Sequence, residues 1–224
     1  MAFNQKAFEK IKKDLEPYKA KLVAVSKKKP ASDILEAIQA GQFNFGENYV
    51  QELCDKREEV KSKGRWHFIG HLQSNKVKNI APFIHLIQSV DSVKLLNEIN
   101  KEARKSDRII DCLLQVHIAA EVTKFGFNEQ EAEALMLYPE LSEMENIRIR
   151  GLMGMASLTN DEEQIKKEFT SLHYLFTNCR LMSMDPEGFD TLSMGMSSDY
   201  KIALDCGSNM IRIGSMLFGE RDVR

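Results

Sequence analysis

Eight apolar runs of strand length recur along this chain, each followed by a segment with helical spacing, and no other feature restricts the fold so strongly. The runs cover residues 22–26, 43–47, 66–70, 84–90, 109–118, 147–155, 191–194 and 210–214. Ahead of them, Phe8, Ile11 and Leu15 recur among lysines and acids until Pro17, which predicts an amphipathic helix within residues 1–18. Ser32 is placed to cap a helix bearing Ile34, Ala37 and Ile38, with Gly41 as its stop. A helix is expected over residues 48–63, a short one ending near Pro82, and one bearing Leu95, Leu96 and Ile99, capped by Asp91 or Ser92. Asn128-Glu129-Gln130-Glu131 reads as a capping box. Thr159-Asn160-Asp161-Glu162 reads as a second, ahead of Ile165, Phe169, Leu172 and Phe176. Short helices are expected over 198–206 and 215–218.

Eight strand–helix units with short connections are the count of a single (β/α)8 TIM barrel. A doubly wound open sheet is the alternative, because sequence cannot show closure. No linker or low-complexity stretch divides residues 1–224, so one domain with an extra N-terminal helix is expected. A net charge of −2 supplies no basic field for nucleic acid. Cys54, Cys112, Cys179 and Cys206 lie far apart, which disfavours a zinc or dithiol site and fits a reducing cytoplasm. No apolar run approaches the ~20 residues of a membrane span or the core of a signal peptide.

In a barrel, function sits where the C-terminal strand ends open. The first strand ends in Lys27-Lys28-Lys29-Pro30, and strand alternation puts Val23, Val25 and Lys27 on one face. Lys27 is thereby singled out as an amine at the edge of an apolar core, suited to forming a Schiff base. Gly195-Met196-Ser197-Ser198 and Gly214-Ser215 follow the last two strands, where small residues present N–H groups and hydroxyls to a phosphate. Arg212 shares the face of Gly214, either toward the barrel mouth or in an interior salt bridge. His67 and His71 stand four apart, but Gly70 and the strand pattern break the spacing a metal wants, so no metal is expected. His85, His117 and His173 read as structural. Met153, Met155, Met194 and Met196 read as core fillers.

Six ordered motifs then carry a resemblance. They are Ala24-Val25-Ser26-Lys27 with Lys29-Pro30, Phe45-Gly46-Glu47-Asn48-Tyr49, His67-Phe68-Ile69-Gly70 with Leu72-Gln73-Ser74-Asn75-Lys76, Gly151-Leu152-Met153, Leu192-Ser193-Met194-Gly195-Met196-Ser197 with Asp199, and Arg212-Ile213-Gly214 with Phe218-Gly219. Over nearly the whole chain they resemble the pyridoxal 5′-phosphate (PLP) homeostasis proteins. The resemblance implies a PLP fold type III barrel of the alanine-racemase type without the racemases' second β-domain. It also implies Lys27 as the PLP-bearing lysine, with Ser197, Gly214, Ser215 and, less directly, Ser198 on the phosphate. Arg212 would face the pyridine nitrogen and Asn48 the phenolic oxygen, with His67 and Met194 lining the ring. Lys124 falls in the family's Glu-x-x-Lys-x-Gly loop, where it would help pass PLP on. His117 and His71 depart from the family's usual asparagine and proline.

An arginine at the pyridine nitrogen makes the ring a weak electron sink. Racemisation also needs an acid–base group on the second face, a tyrosine that the racemases take from their second domain, and Tyr49 early in a helix is a poor substitute. The expectation is a cytoplasmic PLP carrier without turnover, delivering PLP to apo-enzymes and monomeric, with a low-activity amino-acid racemase as the alternative. A Schiff-base aldolase acting on a sugar phosphate would use the same lysine and loops.

Overall fold

The computed structural model describes residues 3–61, 63–120 and 125–219. Helix α1 (Gln5–Leu15) precedes strand β1 (Lys21–Val25) and helix α2 (Ala31–Gln39). Then follow β2 (Asn44–Glu47), α3 (Val50–Val60), β3 (Arg65–Phe68), α4 (Val77–Ile80), β4 (Leu86–Val90) and α5 (Val93–Lys105). The second half runs β5 (Ile110–Val116), α6 (Glu129–Met136), β6 (Ile147–Gly154), α7 (Glu162–Met182), β7 (Thr191–Ser193), α8 (Tyr200–Asp205), β8 (Met210–Ile213) and α9 (Ser215–Phe218). The strands are parallel and neighbour one another in chain order, and β8 pairs with β1, so the sheet is a closed barrel and the open-sheet alternative falls away.

Two apolar layers hold it. Val23, Leu86, Leu113, Met153 and Met210 meet inside the barrel, while the outward strand faces pack on the helices in a much larger cluster. Phe8, Ile11 and Leu15 of α1 are buried in that outer layer, as their spacing predicts. Two phenols tether this end of the chain: Tyr18 Oη donates to Asp205 at 2.5 Å and Tyr200 Oη to Asp14 at 2.7 Å.

The expected boundaries move where caps compete. α2 starts after Pro30, whose extended backbone takes the N-cap place, so Ser32 lies inside the helix. The Asn128 capping box forms as read. The Thr159 box does not, because Asp161 caps α7 itself, accepting from the amides of Glu163 and Gln164. Thr159 Oγ1 accepts from the Asp161 amide. α3 begins at Val50 and α8 at Tyr200, which leaves Asn48, Ser197 and Ser198 in the loops above the barrel.

Candidate functional site

The C-terminal strand ends enclose a cavity of about 420 Å³ lined by Val25, Lys27, Lys29, Asn48, Ile69, Met155, Leu158, Met196, Ser197, Ser198, Arg212, Gly214, Ser215, Phe218 and Gly219. Its size falls in the range of small-molecule sites, roughly 300–1,000 Å³. The structure therefore brings Lys27, Asn48, Ser197, Ser198, Arg212, Gly214 and Ser215 together. Strand parity explains Lys27: Val23 reaches the interior layer, Val25 the cavity, and Lys27 the next step outward.

His67 and Met194 are placed elsewhere. His67 points inward, but Ile69, two residues further along, supplies the cavity wall, so the histidine lies one layer deeper. Met194 follows Ser193, which points inward, and alternation turns the methionine out into the helix-facing core. His71 sits on the rim, 2.9 Å from Asp91 and stacked on Phe125 at 4.1 Å. His117 Nε2 is buried without a partner among the described residues. Lys124 lies outside the described residues. No cluster of metal-ligating side chains occurs among the described residues.

The two small-residue loops have the geometry of an anion cradle. Gly195 takes a left-handed φ of 99°, and a Cβ there would come within 2.7 Å of Ala203 Cβ. Asp199 Oδ1 accepts from the Met196 amide at 2.6 Å and fixes the turn. Among the described residues, the amides of Ser197, Ser198, Ser215 and Met216 make no hydrogen bond. Four such donors beside the cavity suit a phosphate. Asn48, in the same cavity lining, has a buried Oδ1 without a partner among the described residues. Asn48 is held by a close approach, since a Cβ on Gly70 would lie 2.6 Å from the Asn48 carbonyl oxygen.

Arg212 forms the floor. It is 4% exposed, and it donates from Nη1 to Ser193 Oγ at 2.6 Å and from Nη2 to the Gly154 carbonyl at 2.9 Å. Burial lowers its pKa to about 10, against the pull of Asp199, so the guanidinium stays charged at neutral pH. Among the described residues Arg212 forms no salt bridge. Instead a polar chain descends the barrel axis. Ser193 Oγ donates to Gln88 Oε1 at 2.7 Å, Gln88 Nε2 to His67 Nδ1 at 3.0 Å, and His67 Nε2 lies 3.3 Å from Asn44 Oδ1.

Ser193 and Gln88 were not legible as site residues, although a glutamine inside an apolar strand is itself a signal. Also missed was a buried group under the Lys27 turn. Ser26 Oγ donates to Glu47 Oε1 at 2.6 Å, and Lys56 Nζ donates to the same oxygen at 2.7 Å. Burial, opposed by Lys56, raises the Glu47 pKa.

The closed parallel barrel, with a lysine after β1 and small-residue loops after β7 and β8, belongs to a class, the alanine-racemase-type barrels. The family model for the alanine racemase N-terminal domain matches residues 5–222. An alanine racemase of Corynebacterium glutamicum shares the fold alone, at TM-score 0.71 and 14% identity over 99% of this chain and 63% of that one. The pyridoxal phosphate homeostasis protein of Pasteurella multocida is 40% identical over 205 residues, covering 90% of this chain and 87% of that protein. The one from Bos taurus is 37% identical over 229 residues, covering 97% and 83%. PipY of Synechococcus elongatus with PLP bound superposes at TM-score 0.86, with 33% identity over 96% of this chain and 99% of that one. The chain belongs to the pyridoxal phosphate homeostasis protein family.

Proposed function

We propose that this chain holds PLP at Lys27 and serves PLP homeostasis by storing, buffering or delivering it, without catalytic turnover. The observation that carries the reading is convergence on one cavity of an amine, unpaired amides and a buried guanidinium, in a chain related to a protein solved with PLP bound. Ser197, Ser198, Gly214 and Ser215 would hold the phosphate, Asn48 the phenolic oxygen and Arg212 the ring nitrogen. Bound there, PLP supplies an aldehyde that bonds to an amine and a ring that draws electrons from the attached carbon. Arg212 keeps its own proton and would give the ring nitrogen a hydrogen bond only, which would weaken that pull.

The absence of turnover rests on Tyr49. Its side chain is 56% exposed and lines an outer groove with Lys28 and Glu52, away from the cavity. Racemisation requires an acid–base group on each face of the reacting carbon. Solvent deuterium should therefore enter the α-position of alanine no faster with the protein than with free PLP, and faster exchange would favour a racemase. Delivery to apo-enzymes, a monomeric state and a cytoplasmic location complete the proposal.

Borohydride reduction of the PLP-loaded protein, followed by peptide mapping, should place the pyridoxyl label on Lys27, and Lys27→Ala should lose it. Label on Lys28, Lys29 or Lys76 in its place would refute the assignment. Ser215→Ala should weaken binding of PLP about tenfold, the value of one hydrogen bond to a charged group. Pyridoxal, lacking the phosphate, should bind both proteins alike. Equal losses for the two ligands would move the phosphate elsewhere.

A further inference from the structure

Lys27, Lys28 and Lys29 are consecutive, so the fold must select which amine meets a ligand. The backbone makes the selection. The Lys29 amide donates to the Ser26 carbonyl at 3.0 Å, closing a turn with Lys27 and Lys28 at its centre. Lys28 has a φ of 60°, a left-handed conformation that a lysine keeps only where its surroundings impose it. The turn sends Lys27 into the cavity and Lys28 into the outer groove beside α3, while Lys29 borders both.

Two side chains of α3 hold this turn. Lys56, 5% exposed, donates to the Ser26 carbonyl at 2.6 Å and to Glu52 Oε1 at 2.7 Å, besides its bond to Glu47. Glu52 Oε1 in turn accepts from the Lys28 amide. Both peptide groups flanking Lys27 are thus gripped, one through its oxygen and the other through its nitrogen, by residues one helical turn apart. Glu47 is wholly buried, so Lys56 cannot leave without stranding a carboxylate.

We propose that Lys56 and Glu52 are positioning residues for Lys27, and that their grip on the turn selects Lys27 over Lys28 and Lys29 as the amine presented to the ligand's aldehyde. The inference rests on the reading of Lys27 as the PLP-bearing lysine.

Native protein and the Lys56→Met, Glu52→Ala and Glu52→Gln variants are loaded with PLP, reduced with borohydride and digested, and label is measured at each of the three lysines. Native protein should carry it on Lys27. Lys56→Met and Glu52→Ala should lower the ratio of Lys27 label to Lys28 and Lys29 label on the order of tenfold, the scale of a small misplacement of a reacting group. Glu52→Gln keeps an acceptor for the Lys28 amide and should keep the native ratio. A purely structural role would reduce total label without changing the ratio, so an unchanged ratio in folded Glu52→Ala overturns the proposal. Should Lys56→Met fail to fold, the partly exposed Glu52 position decides alone. Native protein labelled away from Lys27 would refute the underlying reading first, whereas native label on Lys27 with an unmoved variant ratio refutes this inference only.

Discussion

A methyl group at position 151 is expected to cost more than about 3 kcal/mol and to leave little folded protein, because the barrel has no room to take it. Gly151 lies in β6, where the pairing with β5 slips: Cys112 pairs with Ile149, but the next residue, Leu113, pairs with Gly151. The slip forces Gly151 to a φ of 147°, which L side chains avoid. A Cβ there would stand 1.8 Å from the Thr191 carbonyl oxygen and 2.7 Å from its carbon. These are backbone atoms of the neighbouring strand, and they can move only if β6 and β7 separate. Gly154→Ala is the contrast. Its Cβ would meet Leu172 Cδ2 at 2.6 Å, the end of a side chain that can rotate, so a loss of about 1–2 kcal/mol is expected. Urea unfolding of the three proteins checks the order, and a Gly151→Ala midpoint equal to the native one would show that the strands do not approach so closely.

Gly151 marks where sequence reading stops. Its place inside a strand was legible from the apolar residues around it, but the slip in register was not. A bulge is settled by how two strands distant in the chain fit one another. The barrel itself was legible because alternation and helical spacing are local properties, repeated eight times. Helix starts moved by a residue or two where two capping residues stood close together, as with Thr159 and Asp161.

The site divides in the same way. Parity within one strand separated Lys27 from its two neighbours, and small residues after β7 and β8 marked the loops. Applied as strictly to β7, parity would have chosen Ser193 over Met194, and on β3 it offered Ile69 as well as His67. The grip of Lys56 and Glu52 on the Lys27 turn was not legible, since it joins a helix to a loop some 30 residues away, and charges on a helix ordinarily read as a solvated face. The pairing of Gln88 with Ser193 spans 105 residues and depends on closure of the barrel.

That same polar chain gives the protein an expected weakness to acid, worth on the order of 4–5 kcal/mol between pH 6.5 and 3. Arg212 can only donate, so Ser193 Oγ must accept from it and pass its own hydrogen to Gln88 Oε1. Gln88 is then left with its NH2 toward His67 Nδ1, which must be a bare acceptor. A proton on that nitrogen would turn Gln88 around and strip the Ser193 hydroxyl of its acceptor. Burial, and after it the nearby His85, Lys21 and Arg65, lowers the His67 pKa to about 3 from its ordinary 6.5. The folded chain refuses a proton that the unfolded chain binds, so stability is full above pH 6.5 and drains as pH falls toward 3. Burial also lowers the His85 pKa, which adds to the same slope. Between pH 6.5 and 5, where ordinary carboxylates remain ionised, His67 alone should remove about 2 kcal/mol of unfolding free energy. Urea unfolding at several pH values should find this slope in the native protein and a flatter one in His67→Gln. NMR of the imidazole should find His67 still neutral at pH 5. A protonated ring at that pH in folded protein would show that the chain tolerates the reversal its donors forbid.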